Sequence, residues 1–177
     1  MSHQTSLGKY FKSSATSKRV ITVDIDGTIA NISARIAKAE SSAPLGSPKY
    51  WDIALSGDLY HLDTPITESV PFLSNYATSG DIVYLSGRRA GTETQTRAWL
   101  DQHGFPAGRV IHRSKGVDSK SFKIHHLRIL RETYKKFDGH FGDRIEDDGG
   151  AAKSAGVPFF HVHENDGNCW LQFSSFP

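Results

Sequence analysis

Residues 19–28 read RVITVDIDGT, and the organisation of the chain can be worked out from this stretch. Residues 20–23 are rich in β-branched side chains and bounded by polar ones, which predicts a short buried strand. Asp24 and Asp26 follow where that strand should end. Two carboxylates held this close repel each other unless a cation lies between them or one carries a proton. The pair therefore indicates catalysis or metal binding, although an isolated Asp-Gly would indicate only a turn.

Length and composition indicate a single globular domain. The chain has 177 residues, of which 37% are hydrophobic and 23% charged, enough for one core and too few for two ordinary domains. No window is long and apolar enough to span a bilayer, so we expect no membrane insertion. The formal net charge of +2 permits a nucleic-acid or acidic-lipid partner without indicating one. The oligomeric state stays open.

Cysteine and histidine usage narrows the function classes further. Cys169 is the only cysteine, which excludes an intramolecular disulfide and a cysteine-based zinc cluster and favours a reducing, cytoplasmic location. Residues 1–18 contain basic residues but no apolar segment typical of a secretory signal, so we expect a flexible arm. His161 and His163 point the same way on a predicted strand. With no third ligand evident nearby, a solvated or edge-strand role is favoured over metal binding.

Strands and helices alternate along the rest of the chain. The hydrophobic pattern predicts strands over 20–23, 81–85, 109–112, 139–143 and 157–162, and helices over 29–37, 65–79, 93–103, 120–136 and 149–155. Such alternation with short connections predicts an α/β fold, a Rossmann-like arrangement of three layers around a central parallel sheet. We assign 19–177 to this domain.

Residues 31–64 are predicted to form a small insertion beside the active site. Most of this segment, from Ser41 onward, mixes Pro, Gly and Ser with aromatic residues and shows no strong periodicity. A long irregular segment is usually functional or disordered, and the aromatics argue against disorder. We expect at least one of Tyr50, Trp51 and Tyr60 to line the substrate entrance, although all three could simply hold the loop to the domain.

Polar residues cluster where predicted strands end. Asp24 and Asp26 follow the first strand, Ser86 follows the second, and Asp143 ends the fourth. Because the carboxyl ends of parallel strands share one edge of the sheet, where α/β proteins bind ligands, a single site can collect these side chains.

Such a site could transfer a phosphoryl group. Asp24 is a candidate nucleophile, and Asp26 could protonate the departing oxygen and then deprotonate a water. Ser86 and the backbone NH of Gly87 can donate hydrogen bonds to phosphoryl oxygens. Asp143 can complete an oxygen-only cation site of the kind that Mg²⁺ prefers.

The order of these segments resembles the haloacid dehalogenase (HAD) superfamily. The four segments that carry the resemblance are DIDGT at 24–28, LSGR at 85–88, FK at 122–123 and GDRIEDD at 142–148. Finding all four in order is far more specific than finding the first alone. The resemblance covers roughly residues 19–160.

The resemblance implies an aspartyl-phosphate on Asp24, acid and base work by Asp26, and a Mg²⁺ cofactor. The metal would be held by the Asp24 side chain, the Asp26 backbone carbonyl and Asp143. Thr28, Ser86, Gly87 and Lys123 would contact the phosphate. In dehalogenase members the second acidic position of the first motif is typically not Asp, so Asp26 favours phosphate chemistry. A non-catalytic phosphoryl-binding module is the alternative from another class, but it would have no need for a repelling carboxylate pair.

Two assignments stay open within the motifs. Lys123 follows an aromatic residue, as in the third motif of several HAD phosphatases, whereas Lys120 lies about one helical turn earlier; we favour Lys123. Asp147 and Asp148 both fit the fourth motif, where one would orient a metal-bound water and the other would face solvent or cap the helix over 149–155.

The lengths of the segments between the motifs limit the class of substrate that we expect. No segment is long enough for a large cap domain, so we expect a minimal-cap enzyme with an open site that suits nucleic-acid ends, proteins or lipid headgroups. The phosphatase domain of polynucleotide kinase-phosphatases is similar over the stretches YWD at 50–52, DTP at 63–65 and SGR at 86–88, and lipin-type phosphatidate phosphatases are similar over SFKI at 121–124. Arg88 and Arg89 could steer a phosphate, although each alone is more often a surface arginine. We expect a phosphorylated substrate, with nucleic-acid 3′-phosphate ends as one candidate and a small metabolite, nucleotide, protein or phosphatidate as others.

Overall fold

Five parallel strands form the central sheet of the computed structural model, which describes residues 19–174 and 176. In chain order, the strands are β1 (Arg19–Val23), β2 (Ala30–Asn31), β3 (Thr64–Pro65), β4 (Asp81–Arg89), β5 (Arg109–Arg113), β6 (Lys136–Gly142) and β7 (Phe159–His161). The sheet has the order β5-β4-β1-β6-β7, and β1 lies at its centre. This confirms the α/β fold with a parallel sheet. Because β1 and β6 are neighbours, Asp24 and Asp143, which directly follow them, lie at the same edge.

Helices cover both faces of the sheet. They are α1 (Ser33–Glu40), α2 (Pro48–Ala54), a 3₁₀ helix (Gly57–Leu62), α3 (Ser69–Tyr76), α4 (Glu93–Gln102), α5 (Ser119–Thr133), a π-helical turn (Ile145–Gly149), α6 (Gly150–Ala155) and a second 3₁₀ helix (Gly167–Phe173). Alternate residues of β1 face the helices on opposite sides of the sheet, as the two-residue period of a strand requires. Ile21 and Val23 belong to the larger core, which includes residues of α3, α4 and the second 3₁₀ helix, whereas Val20 packs with Leu130 of α5.

Several predicted boundaries were wrong because pairing between distant segments overrode local pattern. The helix predicted over 29–37 begins only at Ser33, since Ala30 and Asn31 pair antiparallel with β3. The strand predicted over 81–85 continues to Arg89, so Ser86 lies inside it. The helix predicted to run to residue 136 ends at Thr133, and β6 begins at Lys136.

Residues 31–64 are more regular than the sequence suggested. The hairpin of β2 and β3 brackets α1, α2 and the first 3₁₀ helix. Ser47 caps α2 by accepting a hydrogen bond from the Tyr50 backbone NH at 3.2 Å, and Pro48 occupies the first helical turn. Ala39 and Tyr50 belong to a small separate cluster between α1 and α2. The insertion is therefore a helical unit with its own packing.

No helix within the described residues is long and apolar enough to cross a membrane. The flexible arm predicted for residues 1–18 lies outside the described residues.

Candidate active site

Asp24 is buried at the end of β1 with both side-chain oxygens engaged. The Ile25 backbone NH donates to Oδ1 at 2.8 Å, and Lys123 Nζ contacts Oδ2 at 2.7 Å. Burial raises the pKa of Asp24 to about 6, although the charge of Lys123 opposes this. Burial alone would lower the pKa of Lys123, but Asp24 and Asp148 raise it above its ordinary value. Lys123 therefore stays charged beside the candidate nucleophile. The exposed Lys120 does not reach Asp24.

Three carboxylates converge at this edge of the sheet. Asp24, Asp143 and Asp148 each offer an oxygen, and these oxygens lie within 4.8 Å of one another. Burial, together with the charges of Asp24 and Asp148, raises the pKa of Asp143 to about 7. A crowded, oxygen-only group whose charges repel is the donor set that a divalent cation such as Mg²⁺ stabilises.

Gly27 and Thr28 shape the place where Asp143 lies. Gly27 has φ +80°, and a Cβ there would come 2.5 Å from Asp143 Oδ2. Any larger residue would therefore be strained and would push the carboxylate aside. Thr28 donates from Oγ1 to Asp143 Oδ1 at 3.0 Å. Thr28 thus holds the metal-ligand candidate in this structure, whereas its predicted contact with phosphate stays a prediction.

Asp148, not Asp147, is the fourth-motif carboxylate that faces the site. It is fully buried, it contacts Lys123 Nζ, and it accepts from the Arg144 backbone NH at 3.1 Å. Burial opposes ionisation, but hydrogen bonds from His140 and Lys123 hold the pKa of Asp148 below its usual range. Asp147 instead pairs with the Arg144 side chain at 3.3 Å near the surface.

The buried residue His140 was missed in the sequence analysis. Its Nε2 lies 3.1 Å from Asp148 Oδ1, and its Nδ1 lies 2.8 Å from Thr22 Oγ1. Thr22 is its register partner on β1. The available signal was a histidine in the middle of a strand that is otherwise buried. His140, itself held by Thr22, therefore positions the Asp148 carboxylate.

Asp26 belongs to a second, balanced cluster of charges. Its Oδ1 lies 2.9 Å from Arg35 Nη2 and 2.7 Å from Arg88 Nη2. Asp63 bridges the same two arginines, at 2.8 Å from each, and Arg88 stacks 3.9 Å above the Tyr60 ring. Burial opposes ionisation of Asp26, but Arg88 and Arg35 overcome it and lower its pKa to about 2. Asp26 is therefore a carboxylate in this arrangement, the form that accepts rather than donates a proton.

Arg88 does not have the surface role that the sequence suggested. Its side chain is fully buried, and Nη1 donates to Thr96 at 3.1 Å. Arg35 and Asp63 were not recognised as partners, because they come from α1 and from the residue before β3, 28 positions apart, and no local period connects either of them to Asp26.

Ser86 and Gly87 lie next to each other on β4 but differ in exposure. Ser86 is fully buried, and its Oγ accepts from the Arg88 backbone NH at 3.3 Å. Gly87 lines the cleft together with Asp24 and Lys123. The geometry thus makes the Gly87 backbone accessible to a ligand, whereas phosphate binding by the Ser86 hydroxyl stays a prediction.

The site opens into a cleft of about 810 Å³ between the sheet edge and the insertion. The insertion contributes an apolar wall made of Ile32, Ile36, Pro48, Trp51, Ala54 and Leu55. Trp51 is 46% exposed there, and its ring packs edge-on against Tyr50 at 4.9 Å. Tyr50 and Tyr60 are buried and hold the insertion together. Of the three aromatic residues predicted near the entrance, only Trp51 lines the cleft.

His161 and His163 lie beside the site without joining the carboxylate group. β7 is an edge strand, as expected, but it ends at His161, so His163 lies beyond it. His161 Nε2 lies 3.0 Å from the Asp143 backbone oxygen, which places it as a donor that fixes the Asp143 backbone. Its ring lies 4.8 Å from that of His163.

Comparison with known protein families gave one match, over a part of the chain that includes Lys123, Asp143 and Asp148 but not Asp24 or Asp26. The sequence model described as the LNS2 domain of PITM 1-3 matches residues 56–158. No curated protein matches the chain in sequence.

Solved structures share the fold at low sequence identity. A chain of the Pnkp1/Rnl/Hen1 complex is 17% identical, with a TM-score of 0.64 over 89% of this chain and 50% of that one. The class C acid phosphatase from Bacillus anthracis with tungstate bound is 18% identical, with a TM-score of 0.61 over 84% of this chain and 68% of that one. The HAD hydrolase YfnB from Bacillus subtilis bound to magnesium is 13% identical, with a TM-score of 0.58 over 83% of this chain and 89% of that one. The chain spans about half the length of the Pnkp1/Rnl/Hen1 chains that it matches.

Proposed function

The chain belongs to the LNS2 domain family and has the fold of HAD-superfamily hydrolases, and from this premise we propose that it is a Mg²⁺-dependent phosphomonoester hydrolase. The observation that carries the proposal is the buried Asp24, held 2.7 Å from Lys123 and grouped with Asp143 and Asp148. A binding module would gain nothing from burying repelling carboxylates beside one ammonium.

In the first step, an Asp24 carboxylate oxygen attacks phosphorus. The new bond is an acyl phosphate, the ester P–O bond breaks, and the leaving oxygen takes a proton from the protonated form of Asp26 as the alcohol departs. In the second step, water attacks the same phosphorus, loses a proton, and releases inorganic phosphate while the Asp24 carboxylate is restored. Lys123 stays within reach of the phosphoryl oxygens and offsets their charge throughout.

Asp24, Asp143 and Asp148 are the groups that would hold or orient Mg²⁺, with the Asp26 backbone carbonyl as a further predicted ligand. When bound, the cation supplies charge neutralisation at the phosphoryl oxygens. The raised pKa values of Asp24 and Asp143 support this assignment, because a nearby cation would favour their ionised forms.

Asp26 is best suited to the second step. Paired with Arg35 and Arg88, it is ionised and can accept the proton of the attacking water. Protonating the leaving oxygen requires the same carboxyl to carry a proton first, which these two arginines oppose. For esters that leave as alkoxides, such as a 3′-phosphate, the first step should therefore be the slower one.

For the substrate, we propose the 3′-phosphate of a nucleic-acid end. An open cleft with an exposed Trp51 and several arginines suits a base and a charged backbone, and a similarly folded chain belongs to an RNA repair complex. Phosphatidate is the second candidate, favoured by the LNS2 family and by the apolar wall of the insertion.

A substrate panel with purified protein tests the proposal. Turnover of an aryl phosphate should require Mg²⁺ and should vanish in Asp24→Asn, since an amide is a poor nucleophile and a weaker cation ligand. Asp26→Asn should lower the rate by about 10²- to 10⁴-fold at steps that need proton transfer. Extending the panel to 3′-phosphorylated oligonucleotides, nucleotides, phosphopeptides and phosphatidate vesicles separates the substrate classes. If wild type never exceeds Asp24→Asn, the protein is no phosphatase.

A further inference from the structure

We propose that Arg113 binds a phosphodiester that neighbours the scissile phosphate, so that the cleft selects the end of an oligonucleotide over an isolated phosphomonoester. The inference rests on the proposed function and adds a residue that determines specificity. Arg113 is the last residue of β5 and lines the same cleft as Asp24 and Lys123.

Backbone oxygens hold the Arg113 side chain in place. Its Nε donates to the Gly87 carbonyl at 3.2 Å, and its Nη1 donates to the Val117 carbonyl at 2.7 Å. A guanidinium has five N–H donors, so these two bonds orient the group and leave others for a ligand. Because the Arg113 guanidinium is held in place before a ligand arrives, less side-chain entropy is lost on binding.

The charge of Arg113 is not neutralised by the protein. Within residues 19–174, no carboxylate oxygen lies within 4.0 Å of its guanidinium, and both of its hydrogen-bond partners are neutral carbonyls. Other arginines of the cleft are paired: Arg35 with Asp26 and Asp63, Arg89 with Asp52, and Arg144 with Asp147. Arg113 therefore offers a full positive charge to a substrate.

The place of Arg113 fits a second anion next to the first. Gly87, whose backbone is predicted to receive the scissile phosphate, is one of the two residues to which Arg113 donates a hydrogen bond. The cleft of about 810 Å³ lies in the size range of ligand pockets and far exceeds one phosphate group. A 3′-phosphorylated oligonucleotide carries a phosphodiester one nucleotide before its end, whereas phosphatidate has no second phosphate.

The test compares two substrates that differ by one thymidine and the phosphodiester that joins it. They are thymidine 3′-monophosphate and the thymidine dinucleotide with a 3′-phosphate. Arg113→Ala should lower kcat/KM for the dinucleotide by about 10- to 100-fold, mainly through KM, as expected for a lost hydrogen bond to a charged group. It should leave the mononucleotide nearly unchanged. Arg113→Lys keeps the charge and should recover part of the loss.

Two further measurements keep the result specific. Arg128→Ala is the matched control, because Arg128 also donates to a backbone carbonyl, that of Ser154 at 3.0 Å, but lies on α5 away from the cleft lining; it should behave as wild type with both substrates. Arg113→Ala should also reduce the salt dependence of dinucleotide binding by the equivalent of about one phosphate contact.

Several outcomes would overturn the inference. Equal losses on both substrates would mean that Arg113 acts on the scissile phosphate, directly or through its contact with Gly87, and unchanged kinetics would mean that it binds no substrate group. Hydrolysis of phosphatidate but of neither nucleotide would reject the substrate class while leaving the proposed hydrolase intact. Equilibrium binding of the unphosphorylated thymidine dinucleotide, which has only the diester, tests Arg113 without turnover. If binding weakens in Arg113→Ala while no ester is ever hydrolysed, the subsite stands and the proposed catalysis fails.

Discussion

Replacing Asp63 by Asn should destabilise the fold far more than an ordinary change of one charge. The Asp63 side chain is completely buried and lies 2.8 Å from both Arg35 and Arg88, whose side chains are also buried. Together with Asp26 it balances the two guanidinium charges. Asn keeps the size of the side chain but removes one negative charge, so a net positive charge remains inside the protein.

The expected cost is about 3–5 kcal/mol, the range for breaking a buried ion pair by removing one partner. For a domain of this size, 1 kcal/mol corresponds to roughly 2–4 °C in Tm, so the melting temperature should fall by about 6–20 °C. Asp52→Asn supplies a matched control, because Asp52 also pairs with an arginine, Arg89, at 2.7 Å. That pair is exposed, with 67% and 43% of the two side chains accessible, and should contribute no more than about 1 kcal/mol.

Thermal and urea unfolding of the two variants, compared with wild type, measure the difference. A double variant, Asp63→Asn with Arg35→Met, restores the charge balance and should regain part of the lost stability. If Asp63→Asn and Asp52→Asn shift Tm by the same small amount, the buried cluster does not stabilise the fold more than an exposed ion pair does.

Lys123→Met should lower kcat on an aryl phosphate by at least about 10²-fold, the scale of a lost charge-stabilising donor, while Lys120→Met should retain activity; steady-state kinetics that show equal losses would reject this assignment. Trp51→Ala should raise KM for an oligonucleotide 3′-phosphate by roughly 5- to 150-fold if the ring stacks on a base, with little effect on a small aryl phosphate. Tyr60→Ala, which removes a buried ring under Arg88, should instead lower Tm and weaken turnover of both substrates alike. Burial and neighbouring positive charges lower the pKa of His126 to about 4. As pH falls below about 6.5, the unfolded chain therefore binds a proton that the folded chain does not, so stability should drop between pH 6.5 and 4, and His126→Gln should show a smaller drop in urea titrations over that interval.

The fold could be predicted where local pattern and tertiary contacts agree. The β-branched residues of β1 are buried on both faces of a central strand, so the hydrophobic run identified the strand and its end at Asp24. The prediction of secondary structure was wrong where pairing with a distant segment determined the conformation. Ala30 and Asn31 looked helical by spacing, but their pairing with β3, more than thirty residues on, makes them a hairpin.

The carboxylates of the candidate site could also be identified from sequence, because their positions follow from where parallel strands end, and that depends on local hydrophobic pattern. Asp24 and Asp143 are such residues. The partners that set their chemistry could not be identified in this way. Arg35 and Asp63 are 28 positions apart, and no local period connects them. Their contacts with Asp26 and Arg88 form only when the insertion packs on the sheet edge, where burial removes water and makes each opposite charge necessary to the other.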